Sequence, residues 1–152
     1  MDGEMDKLWQ RLIQHWRSEN VNVPPGADVE TIARFEAEQG VRLPEDLRGY
    51  FRAADGTGDS MDGSLYRFWP LKELWRSADY LRNWISDVGP NVRRLVFCDY
   101  CIDCWAYVVE VRPDAREAGP VYCLRDDPLG ELMAATFREF ISKYLADPDS
   151  VI

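Results

Sequence analysis

"VRRLVFCDYCIDCWAYVVEV", residues 92–111, is the segment from which the architecture of this chain follows. β-Branched and aromatic residues dominate on both sides of the short break "CID", as they do in β-strands. A break this short indicates an antiparallel hairpin, because parallel strands need a long crossover connection. We therefore predict strands over 93–99 and 104–111, and a third strand over 119–124 after the polar segment "RPDAREAG".

Amphipathic helices are predicted before this hairpin. In residues 5–19, apolar side chains recur at helical spacing and form one stripe. A second helix is expected over 28–40, with Asp28 as N-cap and Gly40 as its stop. A third begins near Pro44, which suits the first turn of a helix.

The rest of the chain adds a short strand within 64–71, a partly helical segment over 72–87 and a closing amphipathic helix over 132–148. Helices first, then hairpin-linked strands, then a helix are typical of the α+β class. We predict one domain, 1–152, in which a mainly antiparallel β-sheet is flanked by N-terminal helices and a C-terminal helix.

Composition and charge narrow the function classes. Hydrophobic residues make up 46% of the 152 residues, which is typical of a globular chain. The net charge of −9 disfavours nucleic acid and an anionic membrane surface as partners, because both need a basic face. The N-terminus has no signal-peptide pattern and no apolar run is long enough to cross a membrane, so a cytoplasmic location is expected.

Three cysteines at three-residue intervals, Cys98, Cys101 and Cys104, together with Cys123, raise the question of a metal or redox site. Iron–sulfur runs usually end in Cys-Pro, and structural zinc sites pair two C-x-x-C knuckles or add histidines. The only histidine, His15, belongs to the first helix. We interpret the four thiols as reduced packing residues of a hairpin and expect no metal or cofactor, with a metal or redox role as the alternatives.

No catalytic constellation stands out in the sequence. A single histidine leaves no serine–histidine or cysteine–histidine set with a second supporter. The loop "ADGTGDSMDG", residues 54–63, lacks the D-x-D-x-D-G spacing of a calcium loop and the lysine of a phosphate loop. We therefore do not expect an enzyme.

The order of motifs along the chain resembles the SUKH superfamily, which includes fungal cell-wall-synthesis regulators and many bacterial immunity proteins. The similarity covers roughly residues 8–148, and F-W-P-L at 68–71 supports it. The residues of its most specific block and of the closing F-x-x-F are Ile32, Phe35, Glu36, Gly40, Leu43, Pro44, Asp55, Gly56, Phe137 and Phe140. Family members commonly carry F-A-D or F-x-D in the hairpin with few cysteines, whereas this chain has Phe97, Cys98 and Asp99 followed by two more thiols.

The resemblance implies a non-enzymatic α+β protein that binds other proteins. It implies an immunity protein of a bacterial polymorphic toxin system, which neutralises a cognate toxin, often a nuclease, by stoichiometric binding. A basic toxin is compatible with the charge of −9. The alternative is a scaffold or regulatory module, as in the fungal branch, and the oligomeric state stays open. We expect partner-binding residues among exposed acids and aromatics, namely Glu45, Asp46, Asp59, Asp62, Trp69, Asp99, Asp103 and Trp105.

Overall fold

Five antiparallel strands form one sheet in the computed structural model, which describes residues 3–81, 89, 91–125 and 129–152. Each strand pairs with the next one along the chain. The strands are β1 (Tyr66–Phe68), β2 (Arg93–Tyr100), β3 (Trp105–Val111), β4 (Val121–Leu124) and β5 (Glu131–Ala134). The predicted hairpin is the β2–β3 pair, in which Tyr100 lies opposite Trp105.

Helices precede the sheet and one helix closes it, so the predicted α+β architecture is confirmed. The helices are α1 (Gly3–Ser18), α2 (Val29–Gln39), α3 (Glu45–Ala53), α4 (Ser77–Tyr80) and α5 (Phe137–Ala146). A 3-10 helix, Leu71–Arg76, leads into α4, and another, Pro148–Val151, follows α5. Part of the predicted helical segment 72–87 lies outside the described residues.

Aromatic side chains fill the layer between the sheet and helices α1, α3 and α5. Phe97 of β2 packs edge-on against Phe137 and Phe140 of α5, with ring centroids 5.1 and 5.4 Å apart. Trp16 of α1 donates its indole N–H to the Tyr144 hydroxyl at 3.2 Å. Edge-on aromatic pairs of this kind stabilise a core beyond the area that they bury.

The ends of α2 follow directly from the sequence. The Asp28 side chain accepts a hydrogen bond from the Thr31 backbone N–H, as an N-cap does. Gly40 adopts the left-handed conformation with φ of 60° and donates its N–H to the Glu36 carbonyl. Both predicted ends are confirmed.

β5 corrects the predicted start of the closing helix. Residues 132–135 are good helix formers and were expected in the helix, but Glu131–Ala134 pairs with β4 instead. Thr136 ends the strand segment, because its hydroxyl accepts the Glu139 N–H at 3.1 Å and so caps α5. Pairing with β4 therefore overrides local helix propensity over residues 132–134.

The outer edge of β2 is covered beyond the short strand β1. The Trp69 N–H donates to the Phe97 carbonyl at 2.8 Å, and the Val96 N–H donates to the Ser77 hydroxyl at 2.9 Å. Covered strand edges do not template pairing with other chains. Among the described residues, no helix is both long and apolar enough to cross a membrane.

Candidate protein-interaction surface

The turn between β2 and β3 has an unusual backbone. Cys101, Ile102 and Asp103 all have positive φ, at 54°, 55° and 63°. The Cys104 N–H donates a hydrogen bond to the Tyr100 carbonyl at 3.0 Å, which closes this left-handed turn. Such conformations are costly for residues other than glycine, and they cluster at functional sites. Here the turn leaves the Ile102 side chain 75% exposed.

A second loop, residues 59–65, lies against this turn. The Cys101 N–H donates to the Leu65 carbonyl at 2.9 Å. Leu65 and Met61 are 39% and 37% exposed, so they add two large apolar side chains to the exposed Ile102. Exposed apolar groups that lie together often mark interaction sites. The two loops together present a small apolar surface.

Asp99 of β2 holds both loops in place through its carboxylate. Its carboxylate accepts the Trp69 indole N–H at 2.7 Å and the Asp103 backbone N–H at 3.3 Å, and it pairs with Arg67 at 3.4 Å. Arg67 also donates to the Gly58 carbonyl at 3.1 Å, just before the second loop, so the ion pair connects that loop to Asp99. A buried charge is tolerated here because it is paired and fully hydrogen-bonded.

Asp62 organises the second loop in the same way. Its carboxylate accepts the Ser64 and Tyr66 backbone N–H groups at 2.8 and 3.0 Å, and it accepts the Tyr144 hydroxyl of α5. These bonds hold the loop so that Leu65 points into solvent while Asp62 stays 4% exposed.

Four of the eight expected partner-binding residues are therefore not exposed, which corrects the sequence-based expectation of their accessibility. Asp46, Asp62, Trp69 and Asp99 are all buried. Asp46 accepts the Ala118 N–H at 2.9 Å and so fixes the loop after β3, and burial raises its pKa. The physical reason is the same for the three carboxylates, since each serves as an acceptor for backbone N–H groups.

The other four expected residues reach solvent but do not lie together. Asp103 lies in the turn, the half-buried Trp105 follows it in β3 and Asp59 begins the second loop, whereas the exposed Glu45 begins α3. Glu45 lines a shallow polar cavity with Pro113, just beyond the last residue of β3, at the opposite end of the hairpin. We call the residues near the turn the tip surface, namely Asp59, Met61, Leu65, Ile102, Asp103 and Trp105.

Trp105, the first residue of β3, is held rigidly beside the turn. Its ring stacks on Tyr100 with centroids 5.0 Å apart and planes inclined by 15°. The Arg125 guanidinium lies over the same ring at 5.0 Å and pairs with Glu131. A tryptophan held in this way offers contact area at little cost in side-chain entropy.

The four cysteines divide into two kinds. Cys98 and Cys123 are buried, as expected for packing residues, and burial raises the pKa of Cys98 well above its usual range. Cys101 is half-buried and Cys104 is exposed at the turn, so the packing interpretation is wrong for Cys104. Within the described part of the chain, no three histidine, cysteine or acidic side chains are grouped as a metal site would need.

Sequence reasoning did not identify Met61, Leu65 and Ile102. Ile102 did leave a signal in the sequence. Hairpin turns are usually formed by polar residues and glycine, whereas this turn has a β-branched apolar residue at its centre. The positive φ of 74° at Leu65 has no comparable mark in the sequence.

Comparison with known proteins adds family information. A model of the SMI1 / KNR4 family (SUKH-1) matches residues 26–143. This range runs from the segment before α2 into α5, so it includes the tip surface and all five strands. No curated protein matches the chain.

Proposed function

The chain belongs to the SMI1 / KNR4 family (SUKH-1), and from this premise we propose that it is an immunity protein of a bacterial polymorphic toxin system. It binds a cognate nuclease toxin stoichiometrically in the cytoplasm and blocks it without catalysis. Family membership supports a protein-interaction module in general, and the tip surface is the observation that favours a specific partner site.

The composition of the tip surface supports a protein partner. It combines the exposed apolar side chains of Met61, Leu65 and Ile102 with the half-buried aromatic Trp105 and the exposed carboxylates of Asp59 and Asp103. Interfaces commonly combine an apolar and aromatic centre with a polar rim. Nucleases that bind a phosphate backbone present basic surfaces, which match the two rim carboxylates and the net charge of −9.

The test pairs the purified chain with the toxin encoded beside its gene. We expect protection of cells that express both proteins and a one-to-one complex by calorimetry. Ile102→Asp should weaken binding at least about 10-fold, because it places a charge in the apolar centre of the interface. Val29→Asp is the matched control, since Val29 is also exposed, at 61%, but begins α2.

Three results would contradict the proposal. They are that the chain does not bind the neighbouring toxin, that it binds the toxin without protecting the cell, or that Val29→Asp and Ile102→Asp lower the affinity equally. The first result, together with capture of signalling or cell-wall proteins, would favour the alternative function, a non-enzymatic scaffold or regulatory module.

A further inference from the structure

We propose that Cys101 and Cys104 form a reversible dithiol–disulfide site at the hairpin turn, which is oxidised by low-molecular-weight disulfides such as glutathione disulfide. The site goes beyond the proposed function and does not depend on it. It concerns the two cysteines that neither the core nor the proposed tip surface accounts for.

The backbone of the turn brings the two residues together. Three consecutive left-handed residues, Cys101 to Asp103, make one turn of a left-handed helix, closed by the bond from the Cys104 N–H to the Tyr100 carbonyl. With the radius and rise of an α-helical turn, residues three apart have Cα atoms about 5 Å from each other, whichever the hand. Disulfides need Cα atoms about 4.4–6.8 Å apart, so the turn already has the required separation.

The side chains are directed toward each other as well. Cys104 shares a side-chain hydrogen bond with Cys101, and this bond raises the pKa of the Cys104 thiol. The turn is held on both sides, since the Cys101 N–H is bonded to Leu65 and the Asp103 N–H to Asp99. Closing a disulfide in a turn that is already fixed requires little rearrangement of the backbone.

Accessibility separates this pair from the other two thiols. Cys104 is exposed and Cys101 is half-buried, whereas Cys98 and Cys123 are buried in the sheet. Reaction with a disulfide in solution needs an accessible thiolate. The folded chain therefore offers one reactive pair and two protected thiols.

The reaction proceeds in two balanced exchanges. The Cys104 thiolate attacks one sulfur of glutathione disulfide, forms a mixed disulfide and releases one glutathione thiolate. The Cys101 thiolate then attacks the Cys104 sulfur, forms the Cys101–Cys104 bond and releases the second glutathione. Two protein thiols are oxidised, one glutathione disulfide is reduced to two thiols, and the two protein protons pass to solvent or to the released thiolates.

The test uses the full-length reduced protein and glutathione disulfide at mildly alkaline pH, where thiolate is present. Released glutathione and the intact mass are followed after acid quenching. We expect two glutathiones per wild-type chain, a mass lower by two hydrogens, and a Cys101–Cys104 link in the peptide map. Cys101→Ser should release one glutathione and keep the other as an adduct on Cys104. Cys123→Ser should behave like the wild type.

Two outcomes would overturn the inference. One is that the wild-type chain retains one glutathione, as is expected for Cys101→Ser. The other is that it stays unreacted while free cysteine in the same buffer is oxidised. Circular dichroism shows whether each serine variant is folded, and the wild-type measurement decides the question even if a variant is not. No partner is present, so failure here leaves the proposed function untouched.

Discussion

Single buried carboxylates determine how the tip surface is displayed. Asp62 and Asp99 have no exposed role in the structure, yet their hydrogen bonds fix the two loops that carry Leu65 and Ile102. A buried acceptor of backbone N–H groups is costly to remove, because the donors are left without partners.

Asp99→Asn should destabilise the fold by about 1–3 kcal/mol, because it removes the charge that pairs with Arg67 and leaves one acceptor oxygen for two N–H donors. Urea denaturation monitored by tryptophan fluorescence measures the change in the free energy of unfolding. Asp103→Asn is the matched control, and its exposed side chain should change stability by less than about 0.5 kcal/mol. Equal effects of the two variants would show that Asp99 is not an organising residue.

Asp46 gives a pH-dependent prediction. Burial raises its pKa above the ordinary value of 3.8, so the folded chain binds this proton more tightly than the unfolded chain. Its contribution to stability is therefore present below pH 3.8 and is lost as pH rises through the raised pKa. Asp46→Asn cannot titrate, so the stability of wild type relative to this variant should fall as pH rises from 3.8 through the raised pKa, on top of any pH-independent difference from the lost oxygen. Stability curves that stay parallel over this range would contradict the assignment.

Burial of these acids could not be predicted from the sequence, whereas the helix ends could. Asp28 and Gly40 act on their own helix within a few residues, so local pattern is sufficient. Asp46 bonds to Ala118, 72 residues away, and Asp62 bonds to Tyr144, 82 residues away. Only the folded arrangement of distant elements shows that these carboxylates are interior acceptors rather than surface charges.

At the scale of elements, the boundary between β5 and α5 depends on one cap. The same residues would extend α5 toward its N-terminus if pairing with β4 did not hold Glu131–Ala134 as a strand. Thr136 separates the two elements, since its side chain satisfies an N–H at the first turn of α5.

Thr136→Ala should lower the free energy of unfolding by about 1 kcal/mol, through loss of the bond to the Glu139 N–H. Denaturant unfolding with a common slope for both proteins measures this change. Ser142→Ala also removes a hydroxyl, from an exposed position inside α5, and should be neutral or slightly stabilising because alanine favours helix. A loss of similar size in both variants would argue against the capping role.

At the scale of the whole molecule, the two ends of the β2–β3 hairpin differ in character. β2 has eight residues, so its ends lie roughly 25 Å apart at about 3.3 Å per residue. Leu65, Ile102 and carboxylates adjoin one end. Several arginines line the cavities at the other end, among them Arg42, Arg93 and Arg112. A basic partner would be oriented toward the tip surface as it approaches.

This asymmetry predicts how charge changes act on association with the proposed toxin partner. Asp103→Asn should lower the association rate constant about 2- to 5-fold at low salt, because rim charges steer the encounter of the two proteins. Glu45→Gln changes the net charge equally at the opposite end and should have a smaller effect. Both differences should shrink at about 0.5 M salt, where the screening length is only a few ångströms.

Stopped-flow measurements of the association rate constant at several ionic strengths test this prediction. Equal effects would mean that net charge alone attracts the partner, and a larger effect of Glu45→Gln would place binding at the arginine-rich end, because steering acts near the contacting face.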